Sequence, residues 1–183
     1  KNLIGGRDQV LADLQKLWDA DVPIDAVWIY DAVVEEDSFG WPWQIYGPIP
    51  PGSYPDLPGL IENLHSQDLK VLGYLNPFIY PDWAGYSQAA QQGYLVQTPG
   101  GQPYLQRWTF GQRAYVDFTN AEATHWWQDR VDHALTAIGF DGAMLDFGED
   151  APHDGVYAGS ASGHQMDNMY PLLYHKAAFE AGQ

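Results

Sequence analysis

Three short apolar runs constrain this chain more than anything else in it. Ile24–Tyr30, Lys70–Leu75 and Phe140–Leu145 each stand a few residues after a stretch with helical spacing. Val10, Leu11, Leu14, Leu17 and Trp18 share one face from about Arg7 to Ala20, until Asp21-Val22-Pro23 breaks the pattern. Leu57, Leu60, Ile61 and Leu64 do the same from about Leu57 to Gln67. Trp126, Trp127, Val131, Ala134, Leu135 and Ile138 continue that spacing up to Gly139, which suits a C-terminal cap. Thr119 and Glu122 match a capping box at the start of that third helix. A short helix is expected within Ser87–Gln92 and a last one from about Met169 to Ala181. The apolar runs are too short for helices and read as strands buried on both faces. Helices alternating with such strands predict an α/β fold with a parallel sheet.

The connections are asymmetric. Tight turns precede each strand, whereas residues 35 to 58, 79 to 118 and 148 to 165 form long excursions after them. Long ordered loops inside domains are usually functional. Elaboration at the C-terminal ends of the strands marks the active face of α/β barrels and the ligand crevice of doubly wound sheets. No GxGxxG or GxxxxGK[ST] is present to favour the doubly wound alternative.

Composition narrows the chemistry. Among 183 residues, 8 Lys and Arg face 24 Asp and Glu, a formal charge of −16. That disfavours a nucleic-acid partner and a polybasic membrane contact. No apolar run of about 18 residues is present to span a bilayer. The absence of Cys excludes thiolate zinc sites and Cys nucleophiles. The six His form neither HExxH nor a tight pair, so no metal and no cofactor are expected. Aromatic residues make up 15%, and Trp41, Trp43, Tyr46, Tyr54, Trp83 and Trp108 all fall in the long loops. There they suit the wall of a sugar cleft as well as simple loop packing.

Carboxylates remain. Asp31 and Asp146 each follow an apolar strand, a rigid position that suits a nucleophile or an acceptor of substrate hydroxyls, and equally a turn residue. Asp146-Phe147-Gly148-Glu149-Asp150 puts three acids in five residues directly after Ala143-Met144-Leu145. Sugar hydrolysis uses two carboxylates flanking the scissile bond.

Asp146-Phe147-Gly148-Glu149, preceded by Gly139-Phe140-Asp141-Gly142, resembles the nucleophile strand of glycoside hydrolase family 31. Val116-Asp117-Phe118-Thr119-Asn120 with Trp126-Trp127, Tyr54-Pro55-Asp56 with Leu64-His65 and Lys70-Val71, and Tyr170-Pro171-Leu172-Leu173-Tyr174 resemble further segments in the family's order. The resemblance implies a (β/α)8 TIM barrel and retaining α-glycosidase chemistry. It implies Asp146 as the nucleophile and Asp31 as a sugar-hydroxyl ligand. Ala32 follows where the family often has a larger apolar residue, and Met144 stands where many members have Trp. Trp108 is similar to a cleft Trp, and Phe147 and Glu149 flank the nucleophile in its own loop. The partner implied is an oligosaccharide or other α-glycoside substrate.

A barrel of this kind needs roughly 250 residues. The chain therefore resembles one segment, 1–183, from the N-terminal half of the barrel, holding strands 2 to 4 of eight. The first strand is expected before Lys1 and the acid/base Asp beyond Gln183. The remainder of the barrel is expected to complete the fold, and the segment alone to be inactive. Gly73-Tyr74-Leu75-Asn76-Pro77 and Ala89-Ala90-Gln91-Gln92-Gly93 resemble the sulfoquinovosidase branch. However, Tyr30 occupies that branch's Gln position, and no Arg or Lys lies between Asp31 and Asp56. Glu35, Glu36 and Asp37 would also repel an anionic sugar, so a neutral α-glucoside, α-xyloside or α-galactoside is expected. The alternatives are a sulfoquinovosidase-type member and a non-catalytic carbohydrate-binding domain.

Overall fold

The computed structural model describes residues 2–32, 43–44, 47–48, 52–109, 111–159 and 163–182. The elements are β1 (Asn2–Leu3), α1 (Arg7–Asp19), β2 (Ala26–Ile29), β3 (Trp43–Gln44), β4 (Gly47–Pro48), α2 (Leu57–His65) and β5 (Lys70–Leu75). They continue with β6 (Phe78–Ile79), α3 (Ala84–Gln92), β7 (Gln106–Trp108), β8 (Gly111–Tyr115), α4 (Ala121–His133), β9 (Gly142–Leu145) and α5 (Gly163–Ala181). The chain divides into two compact units. The first holds the described residues up to Leu75 together with His133–Leu145, and the second holds Asn76–Asp132 and those from Asp146 on.

The first unit is built on a parallel sheet in the order β1-β2-β5-β9. Val27 pairs with Val71 and Tyr74 with Met144, so the three expected strands are neighbours in register. A further short strand joins them: Asn2 and Leu3 pair in parallel with Trp28 and Ile29. Two residues of strand are too short for any periodicity to show. The sheet is an open part of a barrel, with β1 and β9 at its edges. α1 buries Val10 and Leu14, and α2 buries Leu57, Leu60, Ile61 and Leu64, the stripes expected from spacing. α2 packs on β5 and on a π-helical turn, Ala134–Ile138, that extends α4. Gly139 ends that turn at φ 96°, a left-handed value that Gly adopts without a Cβ clash.

At the N-terminal end of the sheet, Asp141 ties three elements together. It accepts from Lys70 Nζ at 2.7 Å, from the Val71 N–H at 2.8 Å, and pairs with His65 Nε2 at 2.7 Å. Partial desolvation opposes its charge, but these donors outweigh it and hold the carboxyl down at about 2.

The second unit contains an antiparallel sheet, β6-β8-β7, that the alternating pattern did not announce. α4 and α5 meet there through an aromatic core of Phe118, Trp127, Tyr170 and Tyr174. Tyr170 donates to the Val116 carbonyl at 2.6 Å, so its buried hydroxyl is satisfied. The start of α4 departs from the capping box. Asn120, not Thr119, accepts from the N–H groups of Glu122 and Ala123, while Thr119 donates to Asp117. α5 begins at Gly163, six residues before the expected Met169, and carries Pro171 inside it. Trp83 packs against the core of Ile79, Ala89, Leu95 and Ala114. Trp41, Tyr46, Glu35, Glu36 and Asp37, and the side chain of Trp43, lie outside the described residues.

Candidate active site

The nominated residues fall into two groups, one in each unit. In the first unit, Asp31 follows β2 and is only 1% exposed. The Gly5 N–H donates to its Oδ2 at 2.7 Å, and the Tyr54 hydroxyl donates to its Oδ1. Burial, and then the hydrogen bond to Asp31, push the Tyr54 phenol far above its usual value, so it stays a donor at physiological pH. Tyr54, one of the loop aromatics, thus directs its hydroxyl to Asp31. Ala32 is buried beside Asp31. Met144, on β9, is 43% exposed.

In the second unit, Asp146 begins the loop that follows β9, and its side chain is exposed. The Phe147 N–H donates to Asp146 Oδ1 at 3.0 Å. Phe147 has φ 66°, a left-handed value that is costly for a bulky side chain, and Gly148 follows at φ 112°. This double reversal turns the chain sharply after Asp146. The Phe147 ring lies edge-on to Phe78 and Trp108, at 5.1 and 5.8 Å between centroids. Trp108, at the end of β7, is partly buried and also meets Phe78 and Tyr80. Glu149 is exposed.

Four residues of this second group were not nominated from the sequence. Arg113 on β8 is 2% exposed and lies 4.3 Å over the Trp108 ring and 4.7 Å over Phe78. Its Nη2 pairs with Asp150, and its Nε donates to Gln106 Oε1 at 2.9 Å. The Tyr115 hydroxyl also donates to Asp150, and Gln106 Nε2 donates to the Asp150 carbonyl at 2.8 Å. Burial, and secondarily its Asp150 acceptor, raise the Tyr115 phenol far above normal, against the pull of Arg113. One local signal was available: Arg113 is a lone cation in the aromatic, apolar run Arg113-Ala114-Tyr115-Val116.

Among the described residues, no group of three or more His, Asp or Glu is arranged to hold a metal ion. No described helix is long and apolar enough to cross a membrane. The Asp146 group offers an exposed carboxylate on a constrained turn whose next residue, Phe147, packs among aromatic rings. That arrangement suits attack on a sugar carbon or acceptance of a hydroxyl.

Comparison with known proteins gives the family. A family model for the glycosyl hydrolases family 31 TIM-barrel domain matches residues 4–183. Sulfoquinovosidase of Escherichia coli (strain K12) is 30% identical over 182 residues, covering 97% of this chain and 26% of that protein. The alpha-xylosidase XylQ of Lactiplantibacillus pentosus is 34% identical over 133 residues, or 71% of this chain and 17% of that protein. A sulfoquinovosidase from E. rectale, solved with an aza-sugar inhibitor, superposes with a TM-score of 0.85 at 31% identity, covering 98% of this chain and 27% of that one. The chain thus spans about a quarter or less of the length of these relatives. With an α/β architecture, an open parallel sheet and acids placed directly after its strands, the chain belongs to glycoside hydrolase family 31, within its TIM-barrel domain.

Proposed function

We propose that the protein containing this segment hydrolyses α-glycosidic bonds with retention, through a covalent glycosyl-enzyme intermediate on Asp146. The observation that carries this reading is the Asp146 turn: an exposed carboxylate after a parallel strand, held by a left-handed Phe147 within an aromatic wall. In the first step an Asp146 oxygen bonds to the anomeric carbon as the glycosidic C–O bond breaks, and an acid protonates the leaving oxygen. In the second step water displaces Asp146, with the same acid now acting as base. That acid/base is supplied by a part of the barrel outside this segment, so the isolated 183-residue chain is inactive.

The substrate-binding roles are proposed on the same footing. Asp31, held by the Gly5 N–H and the Tyr54 hydroxyl, is the proposed acceptor of sugar hydroxyls. Within the second unit, Trp108 and Phe147 are the proposed apolar wall and Glu149 the support of the Asp146 loop; within the first, Ala32 and Met144 are proposed substrate contacts. The preferred substrate is a neutral α-glycoside, because no Lys or Arg lies between Asp31 and Asp56. A second reading is favoured by the two sulfoquinovosidases matched at 30 and 31% identity: the substrate is then a sulfonated sugar.

The test uses the full-length protein with activated aryl α-glycosides. A mechanism-based fluoroglycoside should leave an adduct that peptide mass spectrometry maps to Asp146. An adduct on another carboxylate would overturn the assignment, and no turnover of any glycoside would favour a carbohydrate-binding domain.

A further inference from the structure

We propose that Arg113 is a positioning residue for Asp146, acting through Asp150 and Phe147; this rests on Asp146 being the nucleophile. The loop from Asp146 to Asp150 is fastened at two points, and Arg113 takes part in both. At the far end its guanidinium pairs with the Asp150 carboxylate, which the Tyr115 hydroxyl also holds. Gln106 closes the network, accepting from Arg113 Nε and donating to the Asp150 carbonyl. At the near end the Phe147 ring is enclosed by Phe78 and Trp108, and the Arg113 Cζ lies 5.5 Å from its centre.

The energetics give this network a purpose beyond packing. A left-handed Phe persists only where its surroundings determine it. Here those surroundings are the rings that Arg113 stacks against. A guanidinium 2% exposed needs a counter-charge, and Asp150 is the one bonded to it. Its Nη1 is buried without a hydrogen-bond partner among the described residues. A cation inserted at that cost, on the strand that faces the nucleophile's loop, is hard to explain as filler, which a Leu or Met would provide more cheaply. The aromatic faces around it offset part of the cost. Releasing Arg113 frees Asp150 and loosens Phe147, and Asp146 is joined to Phe147 by one peptide bond and one hydrogen bond. A displacement of about 1 Å in a reacting group costs about 10²-fold in rate.

The test compares Arg113→Gln, Arg113→Lys and Asp150→Asn in the full-length protein. The substrate is the aryl α-glycoside that the unaltered enzyme turns over fastest. Arg113→Gln and Asp150→Asn should lower kcat, and the maximal rate of fluoroglycoside labelling, by about 10²-fold with KM within about threefold. Arg113→Lys keeps the charge but loses the fork, and should recover at least about tenfold of that loss. Wild-type rates in folded Arg113→Gln and Asp150→Asn, or a loss confined to KM, would overturn the proposal. Asp150→Asn preserves side-chain volume and decides alone if Arg113→Gln does not fold. If the wild-type adduct maps away from Asp146, the nucleophile assignment falls and this proposal with it. An adduct on Asp146 that forms equally fast in every variant removes only the role of Arg113.

Discussion

Asp146 and Asp141 stand five residues apart in the chain and show how differently one residue type is used. Asp146 is exposed after its strand, whereas Asp141 precedes the same strand inside a ring of donors. Asp146→Asn keeps the shape of the turn and removes the carboxylate proposed as the nucleophile. It should lower turnover of the full-length enzyme by about 10³-fold or more, read in steady-state assays, with the melting temperature unchanged. Asp141 contributes through linkage. Its folded-state value lies near 2, below the ordinary 3.8. Its stabilisation is therefore complete above pH 3.8 and is lost as pH falls toward 2. Solvent screening limits the effect to on the order of 1 kcal/mol. Asp141→Asn should flatten the acid limb of the stability profile by that amount, as read from thermal melts across the window. Residue type and position marked Asp146 in the sequence, whereas Asp141 stood there only as part of a motif. Long-range pairings were not marked: Tyr54 lies 23 residues from Asp31, and Asp150 lies 37 from Arg113.

Helices and strands divide along the same line. The stripes of α1 and α2 and the strand β5 match expectation because their signal is periodic and local. The sheet β6-β8-β7 does not, since its strands are two to five residues long and pair across a long excursion. α5 was expected to begin at Met169 because Gly, Ser and His read as loop. The structure starts it at Gly163, where a Cβ would lie 1.6 Å from the His153 carbonyl oxygen. Close approach selects Gly there, and helix propensity plays no part. Gly163→Ala should therefore destabilise the protein by about 2–3 kcal/mol, although Ala is the better helix former. A melting temperature equal to or above that of the unaltered protein would show that the 153–163 contact is not needed.

The isolated chain should bind α-glycosides weakly and hydrolyse none of them, and the full-length protein should turn them over. Robust hydrolysis of an aryl α-glucoside by the 183-residue chain would show that both catalytic carboxylates lie within it. In the full-length protein a neutral α-glycoside should exceed the sulfonated analogue in kcat/KM by at least about tenfold. The reverse order would select the sulfoquinovosidase reading that the relatives favour. Local chemistry determined a great deal in advance: alternating helices and buried strands, long loops after the strands, and acids directly beyond the apolar runs. Those features depend on side-chain period and residue type, which any short window contains. Tertiary structure decided the company each acid keeps, with Tyr54 on Asp31, Lys70 and His65 on Asp141, and Arg113 on Asp150. Such pairs form because the folded backbone brings distant segments within hydrogen-bond reach, and no period or propensity in the chain encodes that distance.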